Sequence, residues 1–285
     1  MKLCRFRLKD DYPRVGLLRG SKTVLDLSAA GLERLDELLG EKKLPRLLTQ
    51  LAAEKLPAHP LAQVSLLAPV EGQEVWAAGV TYLRSKVARE TESDFSATAY
   101  DRVYSAARPE IFFKAVPYKV AGPGEPVGIR RDGKWNVPEP ELALVFNRRG
   151  ELVGYTIGND MSSRDIEGEN LLYLPQAKVY DGSCALGPWI VVGETEAAAR
   201  RWSIKISIRR RGREVFAGRT AVKQIKRTFG ELRDYLFRAQ TFPLGAVLLT
   251  GTGIVPPDAF TLAKGDVVAI AISGIGALTN PVTVV

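Results

Sequence analysis

Residues 134–190 carry two glutamates spaced as E-x-E, Glu139 and Glu141, an Asn159-Asp160 pair, and Lys178. Carboxylates and an amine are the groups with which a protein holds a hard cation and moves a proton beside it. Residues i and i+2 of a strand share a face, so a strand over residues 139–146 points both glutamates the same way, roughly 7 Å apart at the backbone. Anions that close repel unless a cation or a shared proton compensates. Mg2+, which takes oxygen ligands, is the simplest compensation, with Mn2+ as the alternative. The same strand face continues with Ala143 and Val145, which is not the pattern of a solvated surface.

The elements that must position these groups follow from the same stretch. Arg148-Arg149-Gly150 is a turn, and the alternating residues 152–157 form a second strand, so a hairpin returns Asp160 to the two glutamates. Taken singly, E-x-E reads as a solvated edge and Asn-Asp as turn or cap chemistry. Arg164 and Asp165 fall at a helix start, where capping and pairing are expected, and Asp181 is placed to orient Lys178.

The order of motifs is more specific than any one of them. E-x-E, then G-Y-T-x-x-N-D-x-S-x-R-D from Gly154 to Asp165, then K-x-x-D from Lys178 with Gly187-Pro188 after it, resembles the fumarylacetoacetate hydrolase family of metal-dependent enzymes. Finer wording resembles that family's 2-keto-3-deoxy-D-arabinonate dehydratases: Arg108-Pro109-Glu110-Ile111-Phe112-Phe113-Lys114, Pro138-Glu139-Pro140-Glu141, and Tyr173-Leu174-Pro175-Gln176 before Lys178. The likeness runs from about Val75 to the C-terminus and includes Thr250-Gly251-Thr252-Gly253. It implies Glu139, Glu141 and Asp160 as metal ligands and Lys178 as the base. Arg84, Ser85 and Thr252 would contact substrate oxygens, with residues 84–107 closing over the site, and the chain would form at least a homodimer, as a dimer or tetramer.

A small anionic 2-keto acid would chelate the ion through its C1 carboxylate and C2 carbonyl, which acidifies C3 and gives a metal-stabilised enolate. A lysine serves as base at neutral pH where burial and a neighbouring cation disfavour its charged form. Three outcomes then compete: hydrolysis of an acylpyruvate, decarboxylation of oxaloacetate, or loss of a C4 hydroxyl as water. Hydrolysis in this family uses a histidine paired with a glutamate, and the only histidine here is His59, expected on the surface without chemistry. Thr81 stands where the hydrolases carry a further acidic ligand. Glu110, entering the apolar run Ile111-Phe112-Phe113, is suited to hold a proton and deliver it to the departing hydroxyl. The reading is a Mg2+-dependent dehydratase taking 2-keto-3-deoxy-D-arabinonate, or its C4 epimer, to 2,5-dioxopentanoate. Acylpyruvate hydrolase, oxaloacetate decarboxylase, and an inactive metabolite-binding or interaction protein are the alternatives.

Composition sets the frame. The 285 residues are 46% hydrophobic with a net charge of +8. The basic residues are dispersed, without interleaved aromatics, so nucleic acid is not the expected partner. The N-terminus lacks the apolar run of a signal peptide, no stretch suits a membrane helix, and Cys4 and Cys184 are too few for a disulfide framework. A cytoplasmic protein with inert thiols is expected. The fold expected is α+β, mainly β. A small N-terminal α/β domain, residues 1–66, holds two leucine-rich helices separated near Pro45, and a linker rich in proline spans residues 56–70. The catalytic domain, residues 67–285, reads as strands near 75–80, 202–208, 215–218, 247–250, 267–272 and 282–285 with one helix near 229–238. The family resemblance makes it a mixed β-roll or barrel.

Overall fold

The computed structural model describes residues 1–9, 12–82 and 102–285. Seven strands organise it: β1 Lys2–Arg7, β2 Glu74–Gly79, β3 Glu110–Ala115, β4 Pro140–Phe146, β5 Leu152–Asp160, β6 Cys184–Val192 and β7 Ala246–Leu249. They lie in the order β1-β6-β5-β4-β7-β2-β3 within a twelve-stranded mixed sheet, in which β7 and β2 are parallel and the other five neighbouring pairs are antiparallel. A second sheet of five strands is built by Arg213–Ala221, Ser203–Arg210, Val267–Ile272, Gly276–Val284 and Val127–Ile129, in that order.

β4 shows how sequence dictates the layering. Every one of its residues is buried, as in a strand covered on both faces. Leu142, Leu144 and Phe146 pack with Ile204, Ile206 and Ile270 of the second sheet. Ala143 and Val145, on the opposite face, pack with Val75, Leu249 and the leucines of two N-terminal helices, Leu35–Leu39 and Leu44–Ala53. Glu139 and Glu141 therefore lie at the end of a strand that its neighbours hold from both sides. The hairpin register, Pro140 opposite Asn159 and Glu141 opposite Gly158, places Asp160 beside Glu139.

The mainly β reading holds, and the strands and the one helix expected between residues 202 and 285 form at those places. The first 66 residues share the catalytic sheet: β1 pairs with β6, and Arg14–Arg19, Thr23–Asp26 and Ala58–Pro60 extend the same sheet outward. Residues 56–70 are not the expected linker. Ala58–Pro60 pairs with residues 23–25, and Ser65–Leu67 pairs with β1. Proline, which only lacks a donor, is tolerated on such edge strands. His59 consequently sits against Phe6, with Nε2 4.0 Å from Asp26 Oδ2, and not loose on the surface. No helix among the described residues is long and apolar enough to cross a membrane.

Candidate active site

The hairpin delivers the acidic groups first. Asp160 N donates to Glu139 O at 3.0 Å, and Glu139 N donates to Asn159 Oδ1 at 3.2 Å, so the two ends of the hairpin are stitched together where the carboxylates emerge. Glu139, Glu141 and Asp160 are 4%, 1% and 1% exposed, and one carboxylate oxygen from each lies within 4.8 Å of the others. Glu141 Oε2 accepts from Gly251 N at 2.6 Å. Gly251 has φ +84°, and a Cβ there would lie 2.2 Å from Thr81 Oγ1, so only glycine allows this approach. Thr81 itself donates to Thr250 O at 2.5 Å and fixes that loop from behind.

Buried cations answer the carboxylates. Lys178 ends the helix Leu174–Lys178, and its Nζ lies 2.9 Å from Glu139 Oε2, 3.4 Å from Asp160 Oδ2 and 2.5 Å from Ser162 Oγ. Arg164 donates to Glu139 Oε1 at 2.8 Å. Lys114 pairs with Asp160 Oδ1. Burial raises the Glu141 carboxyl well above the ordinary glutamate range, and the negative charges of Asp160 and Glu139 add to the effect. An all-oxygen, pre-assembled donor set in which one carboxyl cannot comfortably ionise is what a divalent cation relieves, so these residues fit Mg2+.

A cleft opens onto this cluster. Glu110, Phe112, Glu167 and Thr252 line it together with the carboxylates and Lys178, whose Nζ lies 5.8 Å from the Phe112 ring centroid. Glu110 faces Gly79 across the β2–β3 pair. A Cβ at Gly79 would come 2.0 Å from Glu110 Oε2, so the glycine makes room for the carboxylate. Glu139, Glu141, Asp160, Lys178, Glu110 and Thr252 thus come together, whereas Arg84 and Ser85, and most of residues 84–107, lie outside the described residues.

Asp181 is a correction: it pairs with Lys119 at 2.8 Å with its side chain 74% exposed, and so does not orient Lys178. Asp165 does take a local role, accepting from Lys134 N and Ser163 Oγ. Both thiols are inert, Cys4 and Cys184 each being pushed up to about 12 by burial. Sequence reasoning missed the contributions of Lys114 and Glu167 to the site, and it expected Arg164 to pair without naming Glu139 as the partner. Strand alternation held one signal, since Glu110, Phe112 and Lys114 share a face. The i, i+3 spacing of Arg164 and Glu167 on the helix Arg164–Glu169 held another.

A pH-dependent metal effect follows from Glu141. Its proton is held more tightly by the metal-free fold than by the unfolded chain, so metal-free stability falls as pH rises from the ordinary glutamate value through the folded one. Ligation needs the anion, so Mg2+ should bind more tightly as pH rises. A hundredfold excess over Kd should stabilise the fold by about 2.7 kcal/mol. Thermal unfolding with and without Mg2+ at several pH values checks this: the gap in Tm should widen with pH, and a gap that narrows contradicts it.

Residues 74–283 match the family described as fumarylacetoacetate (FAA) hydrolase, C-terminal. A probable 2-keto-3-deoxyxylonate dehydratase of Haloferax volcanii is 50% identical over 217 residues, covering 76% of this chain and 74% of the relative. The 2-dehydro-3-deoxy-D-arabinonate dehydratase of Saccharolobus solfataricus is 41% identical over 233 residues, 80% of this chain and 77% of the relative. Among solved structures, a 2-keto-3-deoxy-D-arabinonate dehydratase complexed with magnesium and 2,5-dioxopentanoate is similar with TM-score 0.84 and 33% identity, over 100% of this chain and 99% of that one.

Proposed function

Because the chain belongs to the fumarylacetoacetate hydrolase family, we propose that it is a Mg2+-dependent hydro-lyase that converts a 2-keto-3-deoxypentonate to 2,5-dioxopentanoate and water. The observation that carries this is the cleft itself: three buried carboxylates, a buried lysine on two of them and a glutamate at the rim, with no histidine. The relatives' two sugar names converge on one constitution. Once C2 is a ketone and C3 a methylene, xylonate and arabinonate retain a single ring-independent stereocentre, C4, so they differ at most there.

Glu139, Glu141 and Asp160 would hold the ion, and when bound it supplies a Lewis acid for the C2 carbonyl. Lys178 takes a proton from C3. Glu110 protonates the C4 hydroxyl, whose C–O bond breaks as the C3–C4 double bond forms. Glu110, left as the anion, then takes a proton from C5 as one is returned to C3, which moves the double bond to C4–C5 as an enol that ketonises to the C5 aldehyde. Lys178, protonated in the first step, is the group that returns it. Thr252 would hold a substrate oxygen, and Arg84 and Ser85 are proposed for the same task. The apolar Phe112 ring beside Lys178 keeps water from the base.

Protein stripped of metal is expected to form 2,5-dioxopentanoate only when Mg2+ is restored. Equal product with and without saturating EDTA contradicts the proposal.

A further inference from the structure

Lys114 is a second lysine of the site, and it does something different from Lys178. It is 0% exposed, and its ammonium makes one ion pair, with Asp160 Oδ1, and two hydrogen bonds, to Met161 O at 2.9 Å and Lys178 O at 2.5 Å. Two of its three hydrogens go to the carbonyls, and its charge lies against the Asp160 oxygen. It does not border the cleft, which Glu110 and Phe112 of the same strand face do. Its partners come from two other elements: the end of β5, which carries a candidate ligand, and the last residue of the helix Leu174–Lys178, which carries the candidate base.

That helix has five residues, and its final carbonyls have no partner within the helix itself. Lys114 supplies one for Lys178 O, with a positive charge at the end where a helix favours it. It also engages the Asp160 oxygen opposite the one that faces Lys178 Nζ, because Oδ1 meets Lys114 and Oδ2 meets Lys178. One nitrogen thus ties the carboxylate that would hold the ion to the backbone that aims the amine.

We propose that Lys114 is a positioning residue that fixes the distance between the Asp160 carboxylate and the Lys178 amine, and with it the reach of the base to the carbon beside an ion-bound carbonyl. This rests on Lys178 as base and on the three carboxylates as ligands, but not on dehydration as the outcome. A misplacement of about 1 Å at a reacting group costs on the order of a hundredfold.

The test reads proton abstraction directly. Exchange of the C3 protons of 2-oxobutyrate for deuterium, followed by proton NMR in D2O with Mg2+, is measured for wild type, Lys114→Met and Lys114→Arg. Calorimetric titration with Mg2+ alone counts competent sites. In Lys114→Met, exchange per competent site should fall about a hundredfold while Mg2+ binds at least as tightly as to wild type, since the ion then compensates a carboxylate that has lost its buried cation. Lys114→Arg keeps the charge but cannot present three hydrogens from one atom, and should lose about tenfold. The arginine variant decides the matter if the methionine variant does not fold.

Exchange per competent site within about threefold of wild type in both variants overturns the proposal. So does a loss of Mg2+ sites in strict proportion to exchange, which marks Lys114 as support for the fold alone. Wild type that binds Mg2+ and 2-oxobutyrate without exchange overturns it too, because there is then no base to position. Wild type that exchanges C3 protons yet leaves 2-keto-3-deoxypentonates intact sinks the dehydratase reading and leaves the Lys114 comparison fully decisive.

Discussion

Lys178→Met is expected to lower turnover by about ten-thousand-fold, the upper range for removal of a positioned base, while Mg2+ and 2-oxobutyrate still bind. Chelation and proton abstraction use different groups, so they should separate in this variant. The structure adds a sign. Lys178 Nζ lies on Glu139 Oε2 and Asp160 Oδ2, two oxygens of the candidate ligand set. Removing it leaves buried carboxylates without that compensation, so the metal-free fold should lose stability and Mg2+ should restore more of it than in wild type. Calorimetry with Mg2+ and steady-state kinetics check both halves. Loss of metal binding would show that Lys178 holds the cluster together, and turnover within about tenfold of wild type would remove it from the chemistry.

Glu141→Gln should lower turnover by about a thousandfold or more, since the ion supplies several kcal/mol of charge stabilisation and this variant loses a ligand charge. The fold should survive. A glutamine oxygen still accepts from Gly251 N, and the substitution removes a buried carboxylate that Asp160 and Glu139 repel. At a pH where the wild-type carboxyl has lost its proton, the metal-free variant is therefore expected to melt higher than metal-free wild type, and the gain in Tm on adding Mg2+ should shrink or vanish. A variant that melts lower without metal, or that keeps wild-type turnover at ordinary Mg2+, contradicts the account of this carboxylate.

Much of the candidate site was legible because it lies on one hairpin, where strand period and turn chemistry act over short range. Glu139, Glu141 and Asp160 required only that residues 139–146 and 152–160 pair in a register that returns the chain. Lys178 came from motif order. Lys114 was harder to see, since its partners Met161 and Lys178 are 47 and 64 residues away, and no local pattern reports contacts that distant. Asp181 misled for the converse reason: i+3 from Lys178 suggested contact, but Lys178 closes its helix and Asp181 stands beyond it, free to meet Lys119. The prolines of residues 56–70 signalled a linker because they lack a donor. Edge strands tolerate that lack, and only the partner strands, 23–25 and β1, reveal the difference.

The most direct measurement is kcat/KM, with Mg2+ present, for 2-keto-3-deoxy-D-arabinonate, its C4 epimer, an acylpyruvate and oxaloacetate in parallel. Elimination needs a base at C3 and an acid at C4, the roles proposed for Lys178 and Glu110, whereas C–C hydrolysis needs an attacking water activated by a base, and no histidine is among the described residues that line the cleft. The expected result is conversion of at least one sugar acid to 2,5-dioxopentanoate with kcat/KM at least about a hundredfold above that for either other substrate. Faster turnover of acylpyruvate or oxaloacetate than of both sugar acids would contradict the account.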